Sequence, residues 1–507
     1  MVNWSQLLEE PLQYSRDISW NSKLLITLGT GAVSLGVIYW WISHSHKKKL
    51  PPGPWGLPWL GAVHQFSKDM HLDCARLRRK YGDIFSFRFG PDLWVVVNGY
   101  EAIRETFIRR GEEFAGRPQS VSDLMDLDEQ IFSKDYNDEW KKNKKFAMVS
   151  LRNFNFGSPK LADKVNYEIN KVIETCKEKQ DGFYLRPLLE RASAHVISSI
   201  VLEGARPLSE EELEDLIGHS KAFFDVFSEE YILAATFLPL WLVKLLYKKQ
   251  VAFTTARNAR IKEFMTGKIK EHQQTLEPAH PRDVMDMYIS QRLDKDMTMD
   301  QVACTNLMFM FDAILTTTQA LDTFLLCVIK NKQVQKKLHE ELDRVVGKSG
   351  RVSLSHKPDL PYLQAAIYET WRYALLFPLS AAHKPISDTT LLGYHIPKNA
   401  FIMPNLHSVH SDPVTFPNPD IFDPGHFLDE DGQIVKADHC IPFSVGRRMC
   451  LGEAFAKLET FLFLANLLYE FEFSFPKDQP EPVKEYTNFG GLFYIQEPFQ
   501  ICVKQRL

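Results

Sequence analysis

A cysteine can be an inert core residue, a cross-link or a ligand, and its neighbours decide which. Residues 443–452 read Phe-Ser-Val-Gly-Arg-Arg-Met-Cys-Leu-Gly, so Cys450 follows two arginines and directly precedes a run of helical character. A helix amino terminus and adjacent cations both favour the thiolate over the thiol. A stable thiolate is what a bond to iron requires of its protein ligand. Gly446 lets the loop backbone pass close to a flat partner. The other six cysteines (Cys74, Cys176, Cys304, Cys327, Cys440 and Cys502) are scattered and show no paired zinc-type spacing. Neither a disulfide framework nor a structural zinc site is indicated.

A second constellation lies in the long periodic run from Met299 to Asn331, where residues 312–318 read Asp-Ala-Ile-Leu-Thr-Thr-Thr. Asp312 and Thr316 are four apart and share one face of an unbroken helix. A carboxylate buried beside Ile314 and Leu315 has its pKa raised, so it can hold a proton to deliver, or bind a polar group of a substrate. Glu369 and Arg372 stand three apart on another helical run, which alone is an ordinary surface pair worth roughly a few tenths of a kcal/mol. Lys141, Lys142, Lys144 and Lys145 crowd one stretch after Trp140, and such runs are usually a solvated face.

The elements that must position these groups form one large, mainly helical domain. The chain has 507 residues, 45% hydrophobic and 24% charged, with nothing resembling an internal linker. That leaves apolar side chain enough for a core that encloses an oily ligand. A net charge of -4 removes a general case for nucleic-acid binding. From about Met70 to Val345 helical periodicity dominates, including Leu188 to Leu202, with short strand-like pieces at Ile84 to Phe89 and Leu93 to Val97. After Pro378 the chain turns often, then forms a last helix from about Gly452 to Tyr469 and a strand-like tail.

The amino terminus reads as an anchor. Leu24 to Ile42 holds no charged residue over nineteen positions, roughly enough helix to cross the ~30 Å hydrocarbon layer. Tyr39, Trp40 and Trp41 suit the headgroup zone, and Lys47, Lys48 and Lys49 place the following body in the cytosol. A cleaved signal peptide fits less well, because Glu9 and Glu10 precede the run and tryptophans end it. The expected organisation is a lumenal segment at 1–23, a transmembrane anchor at 24–42, a basic and proline-rich hinge at 43–60 and a catalytic domain at 61–507.

The cysteine loop matches the Phe-x-x-Gly-x-Arg-x-Cys-x-Gly signature at every fixed position, and on it the chain resembles the cytochrome P450 family. The resemblance extends to the Pro51–Pro58 hinge, Lys80-Tyr81-Gly82-Asp83, Leu151-Arg152-Asn153-Phe154, Pro281-Arg282-Asp283-Val284 and Gly393-Tyr394-His395-Ile396-Pro397-Lys398. It also covers the Glu369/Arg372 pair, whose third member is His426 in Phe422-Asp423-Pro424-Gly425-His426-Phe427, as in the drug- and steroid-metabolising branch. What it implies is a mainly α fold with small β-sheets and haem b held by Cys450. Arg117, Trp140, Lys144, His383 and Arg448 fall at the family's propionate-binding positions, and Phe443 at the start of the loop against the cofactor. Lys144 stands where arginine is more usual, which keeps the charge and loses the bidentate fork.

The resemblance further implies a single-pass protein of the endoplasmic reticulum membrane with a cytosolic catalytic domain in contact with lipid. Its electrons come from an NADPH-dependent flavoprotein reductase, with cytochrome b5 as a second donor, and the lysine helix is the docking face. One departure matters. Counted without gaps from Glu341–Gly347, the family's Ala/Gly-Gly-x-Asp/Glu-Thr segment aligns its threonine with Thr316, its acid with Leu315 and its groove glycine with Ala313; a one-residue shift gives Thr317 instead, and either way no acid precedes the threonine. Three activities fit. The first, supported by the anchor, the basic face and Thr316, is a monooxygenase inserting one atom of O2 into a sterol, fatty acid, terpenoid or xenobiotic. The second uses or rearranges a peroxide in its substrate and needs no relay. The third is a non-catalytic haem protein. Phe377, Leu379, Ala381, Ala382, Ile314 and Leu315 are candidates for an apolar pocket wall.

Overall fold

The computed structural model describes residues 31, 34, 49–67, 69–118, 131–156, 158–225, 234, 238, 240–293, 298–347, 350–477, 487–489 and 493–506. The anchor expected at 24–42 lies outside these residues apart from 31 and 34. The principal helices are α1 (Met70–Tyr81), α2 (Asp138–Asn153), α3 (Ala162–Lys179), α4 (Arg186–Val201), α5 (Glu210–Asp225), α6 (Lys248–Gln274), α7 (Val284–Leu293), α8 (Met299–Lys330), α9 (Lys332–Val346), α10 (Pro361–Tyr373) and α11 (Glu453–Glu470). The strands are β1 (Ile84–Phe89), β2 (Asp92–Asn98), β3 (Phe183–Tyr184), β4 (Thr389–Leu391), β5 (Tyr394–Ile396), β6 (Phe401–Asn405), β7 (Phe471–Ser474), β8 (Thr487–Phe489), β9 (Phe493–Ile495) and β10 (Gln500–Gln505).

The long apolar run becomes α8, which packs against α4, α5, α7, α10 and α11 at the centre of the largest core cluster. Thr298 and Gln301 start it with a reciprocal capping box, the hydroxyl accepting from Gln301 N at 3.2 Å and the amide oxygen from Thr298 N at 2.9 Å. Among the described residues α8 is also the helix long and apolar enough to cross a bilayer, but it is mostly buried by its neighbours and serves as the core axis. Pro361 at the first position of α10 uses a site where no intrahelical N–H is needed. The Glu341 carboxylate of α9 accepts the next two amides, Tyr362 N at 2.8 Å and Leu363 N at 2.9 Å.

Strands β1 and β2 pair antiparallel, and β6 joins β2 in parallel, with Trp94 stacked on Phe401 at 5.0 Å. The turn-rich region after Pro378 therefore contains three strands that its composition hides. Strands β3, β10 and β7 form a second sheet, while β4–β5 and β8–β9 are two-stranded. The proline-rich segment is joined to this body. Ser86 of β1 donates its hydroxyl to the Pro51 carbonyl at 2.7 Å and its amide to the Pro52 carbonyl at 2.8 Å. A Cβ on Gly53 would lie 1.6 Å from the Ser86 carbonyl oxygen, so only glycine allows this approach. His395 of β5 donates its amide to the Lys49 carbonyl at 2.8 Å.

Candidate active site

The cysteine loop is closed by local backbone geometry. Cys450 N donates to the Phe443 carbonyl at 3.0 Å, so the loop returns on itself just before α11. Gly446 has φ +81, and a Cβ there would lie 1.8 Å from the Phe107 carbonyl oxygen, so the loop rests directly on the backbone of the Glu105–Arg109 turn. Phe443 is half-buried and meets Trp371 of α10 edge-on at 5.3 Å. The Cys450 sulfur accepts the Gly452 amide at 3.3 Å.

The expected arginine effect on this thiol is not what the structure builds. Burial pushes the Cys450 thiol up to about 11, against the lowering by the Gly452 and Glu453 amides at the start of α11, and the Asp312 charge pushes it further up. Neither arginine is directed at the sulfur. Arg448 donates to the carbonyls of Ala115 (2.7 Å), Ile131 (3.2 Å) and Lys134 (2.8 Å), and Arg447 pairs with Glu112 at 2.9 Å. The helix start acts as expected and the cations do not. A bound metal cation, which deprotonates a coordinating thiol outright, is the natural source of the remaining stabilisation.

The arginines belong instead to a buried cationic cluster. Arg117, only 6% exposed, donates to the carbonyls of Phe132 (3.1 Å), Ala381 (3.3 Å) and Ala382 (2.7 Å). A guanidinium has five N–H groups, so among the described residues Arg117 and Arg448 each have two left after these bonds. Lys144 donates to the Arg447 carbonyl, which brings α2 against the cysteine loop. His383 gives its Nδ1–H to the Phe114 carbonyl at 2.8 Å. Burial lowers all four basic groups, and repulsion by neighbouring cations adds to it for Arg448, Lys144 and His383. Arg117 falls to about 10 by burial, Arg448 to about 8 by burial and then Arg117, and Lys144 to about 8 by burial and then Arg448, Arg447 and Arg117. His383 falls well below its ordinary value through burial and the Arg117 charge. Asp135 is the nearby carboxylate, and it is tied to Lys384 at 2.7 Å and to the Arg117 amide at 3.0 Å. A cluster whose members depress one another is matched to an anionic ligand, and the two carboxylates of haem suit it.

Trp140 takes a different part from the one its position implies. Its single N–H donates to the Ile131 carbonyl at 2.9 Å, leaving none for a ligand. Its ring lies 3.9 Å from the Arg448 guanidinium and fixes that arginine by stacking. The Asn137 side chain holds Trp140 at the start of α2 by accepting its amide at 2.7 Å.

On α8, Phe309, Ala313, Thr316 and Ala320 retain partial exposure at three- and four-residue spacing, and Asp312 beside them is exposed, while Phe311 and Ile314 are buried. Yet burial pushes the Asp312 carboxyl up to about 7. The side chain thus keeps accessible surface while protein surrounds it. Asp312 and Cys450 influence one another electrostatically, and so do Cys450 and Lys144, which puts the three in one neighbourhood. Thr316 donates its hydroxyl to the Asp312 backbone carbonyl, the usual back-bond of a helical threonine.

The Glu369/Arg372 pair is far from an ordinary surface pair. Both are buried on α10 and bonded twice, Nε to Oε2 at 2.7 Å and Nη2 to Oε1 at 2.7 Å. Arg372 also reaches the carbonyls of His410 (2.8 Å), Pro419 (2.8 Å) and Ile421 (3.2 Å), so it joins α10 to the segment leading into the cysteine loop. His426 completes the group as expected, with Nδ1 3.1 Å from Glu369 and Nε2 2.6 Å from the Pro417 carbonyl. Both partners are acceptors, so both ring nitrogens carry protons.

One acid escaped sequence reasoning. Glu459 of α11 is fully buried, accepts the Ser193 hydroxyl at 2.9 Å, has Thr317 as its other polar neighbour, and is pushed up to about 8 by burial. Its signal was present, since it is an acid inside the apolar stretch Leu458-Glu459-Thr460-Phe461-Leu462.

A sulfur-bearing loop beneath a long core helix, a buried cation cluster beside it and small sheets around a mainly helical body define a haem-thiolate oxidoreductase. The cytochrome P450 family profile matches residues 51–503. The chain is 32% identical over 494 residues to cytochrome P450 2C23 of Rattus norvegicus, covering 95% of this chain and 98% of that one. It is 33% identical over 487 residues to cytochrome P450 2C44 of Mus musculus (94% and 97%), and 31% identical over 499 residues to cytochrome P450 2U1 of Rattus norvegicus (92% and 92%). The chain belongs to the cytochrome P450 family. It is a haem-thiolate monooxygenase of the microsomal, drug-metabolising type, with haem b as cofactor, lipophilic substrates and a reductase as redox partner. Its compartment is the endoplasmic reticulum.

Proposed function

We propose that Cys450 is the iron ligand and that Arg117, Lys144, His383 and Arg448 hold the haem propionates, with Trp140 and Phe443 positioning Arg448 and the loop. The buried, mutually repelling cation cluster electrostatically coupled to Cys450 carries this reading. Haem bound through a thiolate supplies O2 activation with an electron-rich sulfur that favours O–O cleavage. The chain's own contribution is placement and proton handling. Asp312 holds a proton near neutral pH at the interior face of α8, where Leu315 has none to give, and Thr316 presents its hydroxyl one turn on.

The remaining assignments concern the surroundings. Lys141, Lys142 and Lys145 are exposed on α2, the helix that Lys144 ties to the cysteine loop, which favours docking of an acidic face of the reductase, and of cytochrome b5, on this side. Residues 24–42 form the single-pass anchor, 1–23 the lumenal segment, 43–60 the hinge and 61–507 the catalytic domain in the cytosol. Exposed Trp55 (67%) and Trp59 (69%) within the hinge, with Trp241 and Phe253, suit contact with lipid as well.

The test is turnover of one lipophilic panel under three conditions: NADPH with reductase, the same compounds as hydroperoxides, and neither. The expected result is oxygenated product that depends on NADPH and reductase, and loss in Cys450→Ser of the thiolate-type spectrum of the reduced carbon monoxide adduct. Product from hydroperoxides alone would replace this reading with a peroxide-using one. An unchanged spectrum in Cys450→Ser would remove Cys450 as ligand.

A further inference from the structure

Where α2 and α4 end and α3 begins, the surface holds a cavity of about 110 Å3 that has no part in the site described above. Phe154, Leu161 and Ile200 give it an apolar side, and its polar wall is Asn155, Ser199 and three cations, Lys160, Lys164 and Arg282. No carboxylate lines it. The charges around it do not cancel. Arg282 is balanced by Asp286, with Nε to Oδ2 at 2.6 Å and Nη2 to Oδ1 at 3.0 Å, and its Nη1 donates to the Thr275 hydroxyl at 2.9 Å. Three of its five N–H groups are thereby used, and among the described residues two are left. Lys164 donates to the Ser199 carbonyl and hydroxyl, both at 3.2 Å, and to no acid among the described residues. Lys160 is exposed and, among the described residues, has neither a side-chain hydrogen bond nor an ion pair. Further along α3 lysines are neutralised, Lys171 by Glu168 at 2.9 Å and Lys177 by Glu174 at 3.1 Å. Asp163, one residue before Lys164, lies on another side of the helix and off the cavity wall.

Two positive charges at one concave site, with no acid of the chain between them, repel each other and attract a counterion. Hydrogen bonds from charged donors to an oxyanion are about twice as strong as neutral ones, and one oxyanion can accept several. The start of α3 adds the positive end of an 18-residue helix, since Lys160 and Leu161 belong to the turn Pro159–Leu161 that runs straight into it. The carbonyl ends of α2 and α4 oppose that dipole, and Lys164 already covers one of their carbonyls, so the side chains decide the sign. Size selects the ligand. At about 30 Å3 per water, the cavity takes roughly three or four water-sized groups, the bulk of one phosphate and little more. We propose that this cavity is a binding site for a small tetrahedral oxyanion, inorganic phosphate, held by Lys160, Lys164 and the two remaining N–H groups of Arg282. The Asn155 amide adds a neutral donor, brought there by a left-handed backbone (φ 63) just past the end of α2 that asparagine tolerates.

The test uses the full-length, haem-loaded protein at neutral pH in a phosphate-free zwitterionic buffer, with ionic strength held constant by sodium chloride. Binding of radiolabelled phosphate is read by equilibrium dialysis, and the haem absorbance reports an intact protein throughout. The expected result is saturable binding of one phosphate per chain, weakened about tenfold in Lys160→Gln and in Lys164→Gln. Lys160→Gln breaks no hydrogen bond or ion pair among the described residues, so a loss there reports charge at the cavity and not folding. Arg282 is left unchanged because it also holds Asp286. Changing exposed Lys332 and Lys336 of α9 together to glutamine removes more charge elsewhere on the surface and should leave the affinity within about twofold. No saturable binding, or binding that weakens as much in the α9 variant, means an adventitious ion only and overturns the proposal. Unchanged affinity in both Lys160→Gln and Lys164→Gln overturns it as well.

Discussion

Replacing Arg372 with leucine should remove most of the stability of the haem domain. The substitution keeps an apolar side chain of helical preference on α10, so its effect comes from the lost guanidinium. Five hydrogen bonds go with it, two to Glu369 and one each to the carbonyls of His410, Pro419 and Ile421. Glu369 has no exposed surface and keeps only His426 and the Asp423 amide, at 3.1 and 2.9 Å. Removing one partner of a buried ion pair costs about 3–5 kcal/mol. Each carbonyl left without a donor adds about 1 kcal/mol if water does not replace it. The combined loss of about 6–8 kcal/mol is comparable with the whole stability of an ordinary domain. Urea unfolding at neutral pH, with retained haem followed in parallel, should show a collapse of the midpoint or no haem-loaded protein at all. The double replacement Glu369→Leu with Arg372→Leu should be milder than the two single losses combined, because no lone charge is left behind. A single variant within about 1 kcal/mol of the parent would refute the argument, since no ion pair buried as the structure has it could be removed so cheaply.

Gly446→Ala forces a positive φ on an L-residue and drives a Cβ against the Phe107 carbonyl, so the cysteine loop must lift. Far-UV circular dichroism should change little while the ratio of haem to protein absorbance falls, and a normal ratio would contradict the close approach. His426 is raised above its ordinary value, because the Glu369 hydrogen bond and charge outweigh the opposing effect of burial. Its stabilising contribution is therefore complete below about pH 6.5 and is lost as pH rises through the higher folded value. The stability of the parent relative to His426→Arg, which stays charged, should decline as pH rises above about 6.5, and a constant difference would refute the charged state of His426. Changing Lys141, Lys142 and Lys145 together to glutamate should slow reductase-supported turnover roughly tenfold at low salt and flatten its salt dependence. Peroxide-supported turnover should hold, and an equal loss in both assays would place the damage in folding.

What the sequence revealed was local. Cys450, Gly446 and Phe443 lie within eight consecutive residues, so one motif carries the loop, and α8 announces itself by an apolar period sustained through Met299–Lys330. Strand β1 alternates in sequence, β2 is a short apolar run, and the two pair in sequence order. Their third strand is different, because β6 is five residues long, contains Pro404, and finds its partner only through a parallel pairing with distant β2. Side-chain direction was equally hidden. Nothing in the residue order says that Trp140 spends its N–H on Ile131, or that Arg448 turns from the sulfur toward three carbonyls, since those acceptors come from other segments. Asp312 could be placed on the Thr316 face by counting, but the burial that shifts its carboxyl depends on every wall around it.

The way the proline segment meets the body has a mechanical meaning. A force applied to the chain ahead of residue 49 passes to whatever first resists it. Here the load would enter at two points, through the Lys49 carbonyl into the β4–β5 hairpin and through the Pro51 and Pro52 carbonyls into β1. The second route continues across β2 to β6, whose Ile402 bridges to His383 in the cation cluster. Among the described residues the segment that begins at Lys49 is thus joined through β1, β2 and β6 to His383, with no free-standing stretch between them.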